Sequence, residues 1–518
     1  MALKSVHPLY AARQPEWVEM RDLYAGETRV KDKGEEYLPA TKGMKLDGMR
    51  PTQIGYEAYQ SYLKRTVFPD YVRDAVEAYI GFMHQKAPTI ELPEQMEKMR
   101  SKATAHGESL EMLLRRMNEE QLVTGRVGLL LDLPQAQFAQ TDTLPYIALY
   151  AAESIRNWDD ASIDGGTSKL NLVVLDESGY RRGGDNFEWD EITKFRVLQL
   201  GDLVENESPN VTAKYFNGAF ESRGHGGDPT YVPSDMVMPV YRGTPLEEIP
   251  FVFVNTKDVV PAPDIPPLLG LARIALAIYR GEADYRQNLF MQGQDTFVTI
   301  GDFQRKANVD LNEIKTPDAE ADGLRTGAGS RIAMELGGDA KYVGVNGEGL
   351  TEQRESLQND RKRAESRSGQ LIDARKSGDT ESGEALKTRV AAQTATLNQI
   401  AKTGAAGLEL ILKAAARWMG ADESKVKVTP NLEFADFEIS GKNLDDIMVA
   451  RSKGAPISLR SIHDMMSDKG LTKMDYETER QMIEQEDKDL AKRGIVQWAG
   501  AEEAPQVPAP PQTTPAQT

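Results

Sequence analysis

Residues 382–419 read SGEALKTRVAAQTATLNQIAKTGAAGLELILKAAARWM. Leu386, Val390, Leu397, Ile400, Leu408, Ile411, Ala415 and Trp418 recur there at helical spacing, accompanied by ten Ala. That spacing predicts one helix about 55 Å long at 1.5 Å per residue. A helix of that length serves architecture. Gly404 and Gly407 fall inside it and read as close packing or a tolerated defect ahead of a functional kink.

Upstream of it, residues 350–372 read as a polar, charged helix. The Gly- and Asp-rich segment before that has no long period. It reads as a small mixed module of short strands, 296–301, 331–336 and 341–345. Pro266-Pro267 suits a helix start, and Leu268, Leu271, Ala275 and Ile278 share a face of a helix running to about Gln292, with Glu282 interrupting the stripe. Between about 125 and 255, short apolar runs such as 128–133, 170–175 and 195–200 alternate with Gly, Asn and Asp turns and predict a sheet. Residues 1–125 read as helices joined by polar turns, clearest over 70–83.

Downstream of the long helix, a β-like stretch covers 426–439 and short helices follow. One has Ser458 as its N-cap, and the last ends near Lys492-Arg493 before Gly494. Residues 501–518 carry five Pro and no aromatic residue, a composition that cannot fold alone.

The 518 residues include no Cys, which excludes disulfides, thiolate metal sites and a Cys nucleophile. With 62 Lys and Arg against 80 Asp and Glu, the net charge is −18, which argues against a tight binder of nucleic-acid phosphates. No apolar run reaches the ~18 residues of a membrane span, and the first ten residues do not resemble a secretory signal, so maturation in a cytoplasm is expected. No phosphate-binding P-loop, G-x-G-x-x-G after a strand, G-x-S-x-G or H-E-x-x-H occurs, and the five His are dispersed. His463-Asp464 reads as a surface pair at a helix start. Residues 318–323 imitate half a calcium loop, but Gly329 stands where a bidentate Glu belongs. The acidic run 484–489 reads as a solvated helix face. Acidic pairs such as Asp159-Asp160 and Asp445-Asp446 suit general acid/base chemistry in principle, but their spacing fixes no geometry. Neither a cofactor nor a metal is expected, and no enzyme site is anchored.

Several segments together resemble a subfamily of tailed-bacteriophage portal proteins, the head-tail connector ring of the capsid vertex. They are His7-Pro8-x-Tyr10 with Trp17, Arg21-Asp22-x-Tyr24 and Gly26, then Gly34-Glu35-x-Tyr37-Leu38-Pro39, and then Gly125-Arg126-Val127-Gly128 continuing to Pro134. Next come Pro145-Tyr146-Ile147-x-x-Tyr150 with Ile155-Arg156-Asn157-Trp158, and Pro245-Leu246-x-x-Ile249-Pro250-Phe251. The most specific is Pro266-Pro267-Leu268-Leu269-x-Leu271-Ala272, continuing to Tyr279 and Ala283-Asp284-Tyr285. They span about 1–300; beyond that, the order of elements carries the likeness.

The resemblance implies an α+β portal fold: an α/β wing (1–264), a first stem helix (265–295), a small α/β clip (296–348), a second stem helix (349–372), a tunnel loop (373–384), a long wing helix (385–420), a helical crown (421–500) and a disordered tail (501–518). It implies a non-enzymatic homo-oligomer, a dodecameric ring in the virion assembled in the host cytoplasm. Double-stranded DNA would pass through it without sequence specificity. Its partners would be the large terminase, the major capsid protein or scaffold, and a head-tail adaptor. Arg375, Lys376, Lys387 and Arg389 cluster at the implied tunnel loop and are the candidate DNA guides, with a solvated charge run as the alternative. Arg361-Lys362-Arg363 is a second candidate, for which pairing with acidic residues of a neighbouring subunit is the stronger expectation.

The charge distribution fits a conduit. Residues 349–402 hold ten Lys and Arg against eight Asp and Glu, whereas 421–503 hold twelve against eighteen. A conduit must not hold the polyanion it conducts, so net acidity with a few cationic guides suits it. The competing readings are a virion-associated hydrolase using an acidic pair, and a monomeric structural adaptor.

Overall fold

The computed structural model describes residues 3–133, 144–160, 169–185, 187–201, 214–223, 229–292, 296–300, 339–343, 348–368, 383–432, 441–468 and 472–492. It is an α+β chain that divides into two units, Met1–Phe434 and Ala435–Thr518.

The long helix forms as the sequence predicts, over Gly383–Met419. It runs through both apolar cores of the first unit. Leu397, Ile400 and Ala401 belong to a helical core, while Ala405, Leu408, Ile411, Leu412, Ala415 and Trp418 belong to a sheet-lined one. Its two glycines are close-packing sites. A Cβ on Gly407 would lie 2.3 Å from Val254 Cγ2, and one on Gly404 would lie 2.8 Å from Gln121 Oε1 and 2.9 Å from Asn118 Oδ1.

The sheet-lined core is built around strand Arg126–Asp132, buried at every residue. It pairs antiparallel with Phe251–Asn255 on one edge and Tyr146–Ala151 on the other. Helix Leu110–Thr124 feeds directly into that strand. Ser109 caps its N-terminus, accepting a bond from the Met112 amide, and Gly125 ends it in the left-handed region at φ 79°. A Cβ at Gly125 would also meet the Ile265 carbonyl oxygen at 3.1 Å.

A second, five-stranded antiparallel sheet lies beside it. Its 13-residue strand Trp189–Gly201 pairs with Lys214–Arg223 along one edge, and with Leu172–Asp176 and then Gly179–Arg182 along the other; Ile155–Asp159 flanks Leu172–Asp176. Trp158, Val173, Leu175, Leu198 and Tyr215 face the main core. Val197, Phe216 and Phe220 point the other way, against Met236.

The helical core gathers Pro8–Ala25, Ile54–Arg65 and Tyr71–Met83 around helix Leu269–Gln292. The expected strand over 296–301 forms as Thr296–Ile300; its partner is Asp339–Val343, two residues earlier than the sequence suggests. The expected strand 331–336, and the tail 501–518, lie outside the described residues. The charged helix spans Glu348–Ser368.

The β-like stretch expected at 426–439 is described in its first half, 426–432. Among the described residues Lys427–Thr429 forms a strand, paired with the three-residue strand Thr89–Glu91; residues 433–439 lie outside them. In the second unit, helices Gly441–Ser452, Leu459–Asp468 and Tyr476–Lys492 form, and Ser458 Oγ accepts a bond from the Ser461 amide at 3.0 Å, as an N-cap should. His463 is not a surface residue. Its side chain is 11% exposed and meets Tyr476 edge-on, with ring centroids 5.5 Å apart. Among the described residues no helix is long and apolar enough to cross a membrane.

Candidate functional site

The element that distinguishes this fold is a helical hairpin. Leu268, Leu269, Leu271, Ala272, Ala275, Ile278, Tyr279 and Ala283 bury one face of its first helix, Leu269–Gln292. The return helix, Glu348–Ser368, runs antiparallel to it. Asn288 Nδ2 donates to Gln353 Oε1 at 3.1 Å toward one end, and the Arg367 guanidinium lies over Gly270 toward the other. Beyond the hairpin, the strand pair Thr296–Ile300 and Asp339–Val343 runs from Thr296↔Val343 to Ile300↔Asp339.

The polar residue that interrupts the apolar stripe clamps the two helices together. Glu282, 7% exposed, accepts a hydrogen bond from Arg286 Nε at 2.6 Å on its own helix and from an Arg361 terminal nitrogen at 2.9 Å on the return helix. A carboxylate removed from water needs such charged donors. The hairpin is tied to the helical core by Tyr62 Oη donating to Asp284 at 2.6 Å, Arg280 Nε donating to the Tyr37 carbonyl at 2.8 Å and Tyr79 Oη donating to the Arg367 carbonyl at 3.0 Å. Burial and the bond to Asp284 push the Tyr62 hydroxyl well above the usual tyrosine range.

The sequence-selected cations are placed as follows. Arg375 and Lys376 lie outside the described residues, as do residues 318–323. Lys387 and Arg389 lie in the first turns of the long helix. In the Arg361-Lys362-Arg363 run, Arg361 pairs with Glu282 and Arg363 with Asp360 at 3.3 Å within the chain. Glu484 of the acidic run sits 3.3 Å from Arg480, one turn away on an exposed helix face. Asp159 ends a strand of the outer sheet. No group of three or more His, Asp or Glu among the described residues is arranged to hold a metal.

Many motif residues meet in buried polar contacts. Arg21 bridges Glu120 and Glu153, with Nε donating to Glu153 at 2.7 Å. Buried Asp22 accepts from Arg29 at 2.7 Å and Tyr37 Oη at 2.8 Å, and these partners hold its carboxyl below the usual range although burial opposes them. Arg126 is fully buried between Trp158 and Phe253, 4.3 and 4.6 Å from their ring centroids; desolvation pushes its guanidinium down to about 9. The Glu282 clamp was missed in the sequence. Its one signal was a lone acid in an apolar stripe.

Residues 267–419 match a family model described as a domain of unknown function, DUF4055. The matched span opens just ahead of the hairpin's first helix and closes on the last residue of the long helix. None of the curated proteins matches the chain. Among solved structures, the chain is similar to one from the neck of a native gene transfer agent (GTA) particle computed with C12 symmetry, at 12% identity and a TM-score of 0.35, covering 78% of this chain and 92% of that one. It is similar to one from the virion of a native gene transfer agent particle, at 12% identity and a TM-score of 0.36, covering 79% and 92%. A chain from the neck of an empty GTA particle computed with C6 symmetry gives 11% identity and a TM-score of 0.37, covering 76% and 88%.

Proposed function

We propose that this chain is the repeating subunit of a portal ring, the head-tail connector of a phage-like particle. The observation that carries this reading is the order of elements. An α+β body gives way to an antiparallel helical hairpin, a two-stranded sheet interrupts the hairpin between its helices, and a 37-residue helix then runs back through both cores of the body. That is the order of wing, stem, clip and returning wing helix that the sequence motifs imply.

In this role the protein carries out no chemistry. It holds an axial channel for double-stranded DNA during packaging and ejection, and it docks a terminase and later a head-tail adaptor. A subunit with net charge −18 repeated around a ring repels a polyanion, so DNA slides without sticking. Arg375, Lys376, Lys387 and Arg389 are the guides. Capsid protein or scaffold meets the ring from outside, and twelve copies are the expected number.

Electron microscopy of the purified full-length protein tests this directly, with rings bearing a central channel as the expected result. A protein that stays monomeric by light scattering at every concentration overturns it. Arg375→Ala with Lys376→Ala should leave rings intact and impair DNA packaging or retention; loss of rings would make those residues structural.

A further inference from the structure

The outer face of the five-stranded sheet carries a groove at one end and a knob at the other. Side chains alternate along Trp189–Gly201, so Trp189, Val197 and Gln199 share the face turned away from the main core. Across the ladder, Val174 pairs with Val197, while Leu172 and Phe216 both pair with Gln199, which puts all three on that face. There they floor an open groove of about 650 Å³, with Met236 above them. Among the described residues the groove is lined mainly by apolar side chains, with one acid, Asp159, and no Lys or Arg.

At the other end the strand folds back on Gly179–Arg182 through a turn closed by the Gly183 amide donating to the Glu188 carbonyl at 2.9 Å. Its tip presents Tyr180, Phe187 and Trp189 at 75, 88 and 64% exposure. Three aromatics there leave roughly 300–500 Å² of apolar surface in water, about half of what one partner contributes to a standard interface. The largest apolar patch of an ordinary folded monomer is of this size and is often functional. The knob cannot reach its own groove: eight residue steps of about 3.3 Å along one strand, from Trp189 to Val197, hold the two about 26 Å apart.

We propose that the aromatic knob of one copy seats in the outer-sheet groove of the next. A knob and a groove on different parts of one surface make a heterologous contact, and such contacts close into rings when the rotation permits. This inference rests on the ring reading and adds the surfaces through which neighbouring subunits bind.

The absence of Cys makes the test clean. In the full-length protein, Phe187→Cys at the knob combined with Asn157→Cys at the groove should, on oxidation or treatment with a short bis-maleimide, give a ladder of covalent multimers. Each single variant should stop at dimers or below. Trp189→Ser with Phe187→Ser should leave the fold intact by circular dichroism, because both side chains are exposed, and raise the concentration needed for assembly at least tenfold. Rings that form without a ladder, or whose assembly ignores the knob substitutions, overturn the knob-and-groove contact and leave the ring reading standing. Absence of any multimer from the wild-type protein overturns both.

Discussion

The long helix and the hairpin's return helix are both held against neighbouring elements of the same chain, but by different means. Gly383–Met419 packs against Phe251–Asn255 and Leu110–Thr124 through apolar side chains and two glycines that bring the backbones close. Glu348–Ser368 buries only Leu357 and Ala364 among its described apolar side chains, and the Glu282–Arg361 ion pair fastens it, with the Asn288–Gln353 and Tyr79–Arg367 hydrogen bonds. Burial of apolar area stabilises at about 25 cal/mol per Å² wherever it occurs, whereas an ion pair with half-exposed partners contributes about 1 kcal/mol. The long helix is therefore part of the folded core, as is the hairpin's first helix, and the return helix is the lightly fastened element.

Ile411→Ala probes the first half of that contrast with the largest effect. The side chain is fully buried in the sheet-lined core, so its loss should cost about 3–4 kcal/mol, read as a lowered midpoint in denaturant with an unchanged slope. Glu282→Ala probes the second half. Arg286 and Arg361 are 44 and 48% exposed and rehydrate once released, so the cost should be about 1–2 kcal/mol. Hydrogen exchange should show that loss in the hairpin amides, with those of the long helix unchanged. Equal acceleration in both would mean that the two regions unfold as one and would dissolve the contrast.

A pair of glycine substitutions sharpens it further. An added Cβ at Gly407 meets Val254 at 2.3 Å inside a packed core, so Gly407→Ala should lose about 1 kcal/mol even after the gain in helix propensity. At Gly281 the nearest atom is the end of the Leu357 side chain at 3.0 Å, which can turn aside. Gly281→Ala should therefore stabilise the chain by about 0.5 kcal/mol. Thermal unfolding of the two variants should move in opposite directions.

The sequence was legible where a period or a local signal settled the matter. Eight apolar positions announced the long helix, the glycines within it were readable as close packing, and Ser458 was readable as a cap because it bonds within its own turn. What lay hidden depended on distant partners. Glu282 looked like a defect in an apolar stripe because Arg361 stands 79 residues away. The strand Lys427–Thr429 could be read from β propensity, but its partner Thr89–Glu91, more than 300 residues away, could not. The groove beside Gln199 exists only through the register of four strands, which short apolar runs and the turns between them do not fix in advance.

The smallest effect comes from one titratable group on the packed side. His84 follows helix Tyr71–Met83, and burial, reinforced by the nearby positive charge of Arg115, pushes its imidazole down to about 4. Because the unfolded chain takes up this proton near the ordinary value of 6.5 and the folded chain does not, stability rises with pH between about 4 and 6.5. The contribution of neutral His84 is complete above that window and is lost as the pH falls through it. With its partial exposure, the effect between pH 7 and pH 5 should be below about 1 kcal/mol. His84→Gln should remove that part of the acid sensitivity, read as a shallower fall of the unfolding midpoint between the two pH values. An unchanged fall would mean that His84 is solvated in the folded chain and that water reaches this end of the packed side as freely as it reaches the hairpin.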